Sequence, residues 1–182
     1  GCERNGGFDS RNGRKAGASA SLCRAYPVLR KTRRHGDTVR METEPSRRTS
    51  IRGVYALADT SLLAGAELIA RVEAALRGGV AVVQYRDKSV DSSRRLTEAQ
   101  ALRALCGRYG ATFIINDDVD LALTVGADGV HLGLDDPSPA LARVRLGPKA
   151  RIGATCYDRL ELAPAALALG ADHVAFGRFF PS

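Results

Sequence analysis

No apolar run in this sequence approaches the roughly 18–20 residues needed to span a bilayer, so no segment of it reads as a membrane helix. Neither G-x-G-x-x-G nor a Walker loop occurs. That removes the glycine-rich phosphate cradles through which dinucleotide-binding and P-loop proteins act. Cysteine is sparse. Cys2, Cys23, Cys106 and Cys156 form no Cys-x-x-Cys pair and no Cys/His metal spacing, which argues against a zinc site. Scattered thiols without a secretory h-region fit a reducing, cytoplasmic compartment. Methionine occurs once, at Met41.

What is abundant near the start is positive charge. The formal net charge is +7, and residues 1–40 alone hold ten Lys/Arg against three Asp/Glu, which accounts for all of it. Residues 41–182 hold seventeen of each sign. The first forty residues are rich in Gly, Arg and Ser and show no sustained period, a composition that predicts an unstructured extension over about 1–50. Met41 then reads as a start, with 1–40 as upstream sequence. Two other readings of the segment are a targeting peptide and a nucleic-acid-binding tail. Glu3, Asp9 and Asp37 weigh against the first, and the lack of aromatic interleaving around Arg30-Lys31 and Arg33-Arg34 weighs against the second.

From Ile51 onward the pattern changes. Short β-branched runs at 53–57, 80–85, 112–115, 129–132, 151–154 and 173–176 alternate with Ala/Leu-rich stretches of helical spacing. Asp91, Ser92 and Ser93 are N-cap candidates, and Pro164 requires a first turn or a kink. Alternation with short loops implies a parallel sheet covered by helices. A Gly-Ala-Asp at 126–128 recurs at 170–172, two units later. Doubly wound sheets and (β/α)8 barrels both fit, and the missing glycine fingerprint favours the barrel. About six βα units are present over 51–182, so the expectation is an α/β, TIM-type barrel domain that is incomplete here.

Barrel sites lie at the C-terminal ends of strands, and the polar residues fall there. "VVQYRDK" places Gln84, Arg86 and Lys88 on one face if it stays extended. A guanidinium fork beside an ammonium suits a di-anionic group. "FIINDD" ends in Asn116 and Asp117, and "GVHLGLDD" in Asp135 and Asp136. Asp117 and Asp136 offer the hard oxygens that, with substrate phosphate and water, hold Mg²⁺. A plainer account makes Asp87 or Asp117 a partner of Arg86 or Lys88 in surface ion pairs. Asp118 reads as a helix cap, His131 as a satisfied core or rim histidine, and Cys156 as an unreactive thiol.

Residues from about 52 to 182 resemble the thiamine phosphate synthase (thiamine-phosphate pyrophosphorylase) family through "GVYALAD", "VVQYRDK", "FIINDDVDLAL", "GADGVHLGLDD", "IGATCYD" and "GADHVAFGRFFPS", in that order. The resemblance implies a TIM barrel that joins hydroxymethylpyrimidine diphosphate to a thiazole phosphate, with Mg²⁺ and release of pyrophosphate. It implies that Gln84, Arg86, Lys88 and Asn116 hold the pyrimidine diphosphate and that Asp117 and Asp136 bind the metal. Thr155 would stand near the diphosphate in place of a serine, and Ser182 would help bind the thiazole phosphate. Arg86 and Lys88 would stabilise the leaving group. Leu134 departs from the family's usual Gln. The family also continues past "FFPS" through further phosphate loops, so the chain as given is expected to be truncated and inactive alone. A thiazole tautomerase on the same barrel is the nearest alternative, and the aspartate pair favours the synthase. A non-catalytic fragment with a nucleic-acid-binding tail is the alternative from another class. Phosphorylated small molecules are the expected partners, with no membrane and no nucleic acid.

Overall fold

A computed structural model describes residues 51–177. Within them, strands β1 (Val54–Asp59), β2 (Val80–Arg86), β3 (Thr112–Asn116), β4 (Gly129–Leu132), β5 (Arg151–Tyr157) and β6 (His173–Phe176) alternate with helices. The helices are α1 (Gly65–Arg77), α2 (Ser92–Tyr109), α3 (Val119–Val125), α4 (Pro139–Leu146) and α5 (Leu162–Ala168). Every neighbouring pair of strands is parallel, and the sheet order is β1-β2-β3-β4-β5-β6. A doubly wound sheet reverses its strand order at a switch point. No reversal occurs among the described residues, so the winding is that of a barrel. The expectations for residues 1–50, including Met41, and for Ser182 lie outside the described residues.

The strands run further than the sequence pattern indicates. β1 continues to Asp59, β2 to Arg86, β3 to Asn116 and β5 to Tyr157. Polar residues end an apolar period, but they do not end a ladder whose partners remain aligned: Asp59 lies opposite Arg86, and Asn116 opposite His131. The extra residues carry the strands into the rim.

Alternation divides each strand between two faces. Val83, Tyr85, Phe113, Ile115, Val130, Leu132 and Ile152 pack outward with Leu68, Val72 and Leu76 of α1 and Ala99, Leu102 and Leu105 of α2, forming the main core. The opposite face, with Val82, Gln84, Ile114, His131, Gly153 and Thr155, turns to the barrel interior. Helix starts follow local chemistry. Asp91, Asp118 and Ser138 each accept a bond from the backbone N–H three residues on, capping α2, α3 and α4. Pro139 fills the first turn of α4, and Pro164 sits within the first turn of α5, where its missing N–H costs nothing.

The repeated Gly-Ala-Asp has a structural meaning. Asp128 Oδ2 accepts from Phe113 N at 2.8 Å, and Asp172 Oδ2 accepts from Ile152 N at 2.8 Å. In each case an aspartate at the foot of one strand fixes the start of the strand before it. Arg143 of α4 extends the second instance, donating to Asp172 Oδ2 at 2.7 Å and to Gly170 O at 3.1 Å.

Candidate active site

At the C-terminal rim a cleft of about 880 Å³ opens, lined among others by Gln84, Arg86, Lys88, Asn116, Asp117, Asp136 and Thr155. The structure thus brings together seven of the eight residues expected from the sequence. The eighth, Ser182, lies outside the described residues.

The floor is an amide pair. Gln84 is buried, and its Nε2 donates to Asn116 Oδ1 at 2.7 Å, while its Oε1 accepts from Tyr55 Oη at 2.7 Å. Above it stand the cations. Arg86 Nη1 donates to Asp59 Oδ2 at 2.6 Å, and Lys88 Nζ donates to Asp117 Oδ2. The surface-pair reading is therefore correct for Lys88 with Asp117, but not for the other residues. Asp87, the first residue past β2, turns outward to Arg94 at 2.9 Å, away from the cleft that Arg86 and Lys88 line. Asp118 turns away as well. It caps α3 and pairs with Arg95 at 2.7 Å.

Asp117 has a positive φ of 64°. Its N–H donates to His131 O at 2.8 Å, and Asp118 N donates across it to Asn116 O at 2.8 Å. It is thus the centre of a tight three-residue turn, a conformation that costs a non-glycine residue on the order of 1 kcal/mol. Asp tolerates it better than most, and the turn aims the carboxylate over the cleft. Asp136 meets it from the β4–α4 loop, where Gly133 N donates to Asp136 Oδ2 at 2.6 Å.

Burial and the adjacent Asp117 carboxylate hold the Asp136 carboxyl above the usual range, while Lys88 opposes the shift. Two crowded carboxylates with an ammonium resting on them form a donor set fit for a hard cation. Among the described residues no third carboxylate, His or Cys joins them as a closed cage. A pair alone suits Mg²⁺, which takes its remaining oxygens from substrate and water.

Deeper in the barrel, Thr155 Oγ1 and His131 Nε2 lie 2.9 Å apart. Burial first, and then the neighbouring His173, push His131 down to about 4, so its ring is neutral. It is buried as the sequence suggested, but not fully satisfied: its Nδ1 has no partner among the described residues. Cys156 faces the helices, and burial pushes its thiol up, which removes it as a nucleophile.

The sequence reading missed Tyr55, Asp59, Gly153 and His173. Asp59 could have been found by the same rule that found Asn116, a polar residue closing an apolar strand. Nothing local in the sequence marks the Tyr55 hydroxyl.

The fold and rim define a barrel-type parallel α/β protein whose strand ends present two cations and a carboxylate pair to one cleft. The thiamine monophosphate synthase family model matches residues 54–182, and the chain belongs to that family. It is 58% identical over 132 residues to the thiamine-phosphate synthase of Chromobacterium violaceum, covering 72% of this chain and 63% of that protein. It is 57% identical over 132 residues to the thiamine-phosphate synthase of Thioalkalivibrio sulfidiphilus, with coverages of 72% and 63%. A solved thiamine phosphate pyrophosphorylase from Pyrococcus furiosus superposes with a TM-score of 0.63 at 36% identity, over 70% of this chain and 61% of that one. The chain therefore spans less than two thirds of the length of these relatives.

Proposed function

We propose that this domain provides the pyrimidine-diphosphate site of a thiamine phosphate synthase. That transferase condenses hydroxymethylpyrimidine diphosphate with thiazole phosphate, giving thiamine phosphate and pyrophosphate. The observation that carries the reading is the juxtaposition of Arg86 and Lys88 with the Asp117–Asp136 pair on one rim, above the Gln84–Asn116 amides. A tautomerase on the same scaffold has no need of that carboxylate pair. We place the activity in the cytoplasm; the free, buried thiols of Cys106 and Cys156 suit a reducing compartment.

In this mechanism the amides of Gln84 and Asn116 orient the pyrimidine. Arg86, held in place by Asp59, offers its fork to diphosphate oxygens, and Lys88 moves from Asp117 to a phosphate oxygen as a point charge. Asp117 and Asp136 would hold Mg²⁺, which supplies positive charge to the diphosphate. The Thr155 hydroxyl, positioned by neutral His131, donates to the same group. The bond between the pyrimidine methylene and the diphosphate oxygen breaks, with its electron pair leaving on oxygen. The thiazole nitrogen then supplies a pair to the resulting cation. No proton needs to be removed, which accords with the charges that the rim carries.

The test is calorimetric titration of the chain with hydroxymethylpyrimidine diphosphate, with and without Mg²⁺. The reading expects binding that strengthens with Mg²⁺ and is lost in Asp117→Ala. Binding indifferent to both would overturn it.

A further inference from the structure

Tyr55 is not among the residues to which the sequence assigned a role, yet its hydroxyl begins the hydrogen-bond chain that floors the cleft. Strand register explains how it reaches that position. Tyr55 lies opposite Val82, one pleat below Gln84, and Gln84 lies opposite Ile114, one pleat below Asn116. The three polar side chains therefore climb diagonally across β1, β2 and β3. Tyr55 Oη donates to Gln84 Oε1 at 2.7 Å, and Gln84 Nε2 donates to Asn116 Oδ1 at 2.7 Å.

The direction of this chain matters. A side-chain amide can face either way, and the neighbouring group decides. Tyr55 is half-buried, and desolvation raises its hydroxyl above the ordinary range, so it keeps its proton. Its one hydrogen bond among the described residues is the one to Gln84. If the Gln84 amide were reversed, that half-buried phenol proton would lose its acceptor, and Gln84 Oε1 would face Asn116 Oδ1 until Asn116 reversed too. A partly desolvated donor left without a partner, beside two facing carbonyl oxygens, is the costlier state. With the direction fixed, both carbonyl oxygens are engaged, and the remaining N–H groups of Gln84 and Asn116 are left for the cleft. The floor then offers donors, which match acceptor atoms such as the lone pairs of a heteroaromatic ring nitrogen.

We infer that Tyr55 is a positioning residue that acts through Gln84, locking the amide pair in the donor-outward state and so selecting a ring with acceptor nitrogens. The inference rests on the proposed function for the identity of that ring.

Tyr55→Phe removes one oxygen and keeps the aromatic body. The chain and its Tyr55→Phe, Gln84→Ala and double variants are titrated with hydroxymethylpyrimidine diphosphate and, separately, with inorganic pyrophosphate, each with Mg²⁺. Tyr55→Phe is expected to weaken the pyrimidine diphosphate about 5- to 10-fold, the scale of one hydrogen bond. Pyrophosphate, which meets only the rim, should change by less than about 2-fold, within the tolerance of one uncoupled contact. In the Gln84→Ala background the Tyr55→Phe effect should vanish, because the residue through which it acts is gone. An undiminished effect there, or an equal loss for both ligands, overturns the positioning role. So does an unchanged pyrimidine affinity in Tyr55→Phe. A wild-type chain that binds pyrophosphate as tightly as the pyrimidine diphosphate would instead sink the proposed function.

Discussion

The ammonium of Lys88 rests on the carboxylate of Asp117, which itself lies against Asp136. One positive charge thus serves two carboxylates, and the cation that best relieves both is divalent. If Asp117 and Asp136 hold Mg²⁺, removing either should be severe. In a full-length enzyme, Asp117→Ala or Asp136→Ala is expected to lower Mg²⁺-dependent turnover on the order of 10²-fold or more, as for other charge-stabilising groups. Steady-state rates against Mg²⁺ concentration measure this, and near-normal turnover in both would remove the metal assignment.

Arg86 and Asp59 face each other across β1 and β2 at 2.6 Å. The pair is partly open to solvent, so it contributes modestly to stability, but it orients the fork. Arg86→Ala should impair pyrimidine diphosphate binding more than Lys88→Arg, because the first loses bidentate contact and the second keeps its charge. Asp59→Asn should fall between them, since the guanidinium remains but is less well held. Titration of the three variants orders them, and equal, negligible losses would refute the arrangement.

The rim was legible in the sequence because two periods coincide there. A two-residue alternation put Gln84, Arg86 and Lys88 on one face, and parallel winding put the ends of β2, β3 and the β4–α4 loop on one side. The helix caps at Asp91 and Asp118 were legible for the same local reason. What could not be read depends on register and distance. The Tyr55 hydroxyl reaches Gln84 only because β1 and β2 pair with Tyr55 opposite Val82. The positive φ of Asp117 exists only because Asn116 and His131 fix the backbone on either side. Asp87 differs from Arg86 by a single step of the pleat, and which cation it would meet was settled by where α2 placed Arg94.

His131 predicts a pH dependence. Its ring takes up a proton near 6.5 when unfolded and near about 4 when folded, because burial and His173 disfavour the charge. Between those values the unfolded chain binds more protons, so falling pH favours unfolding. Stability is fully present above pH 6.5 and declines toward pH 4, by up to about 3 kcal/mol. His173 is shifted in the same direction. Asp87 acts lower down. Burial alone would raise it, but Ser89 and Arg94 hold it below its ordinary value of 3.8, so its contribution fades only under the histidine window. Urea midpoints at pH 7 and pH 4.5 should separate strongly for the chain and less for His131→Gln. A parallel drop in both would show that His131 is not the titrating group.

Gly153 lies in one row of the sheet between two histidines, opposite His131 on β4 and His173 on β6. Side chains in such a row point the same way, and the two rings stand 5.7 Å apart with the glycine between them. A Cβ at Gly153 would stand 2.3 Å from His131 Nδ1 and 2.5 Å from His173 Nε2, so Gly153→Ala must displace at least one ring. Overpacking of this kind costs about 1–3 kcal/mol. Displacing His131 would also withdraw Nε2 from Thr155, so binding of the pyrimidine diphosphate should fall along with the urea midpoint. Shortening one ring offers a control. In Gly153→Ala/His173→Ala the methyl gains room on one side, and the combined loss should be smaller than the two single losses added together, the signature of residues that share one space. Strictly additive losses would show that the glycine is needed for something other than leaving room for the two rings.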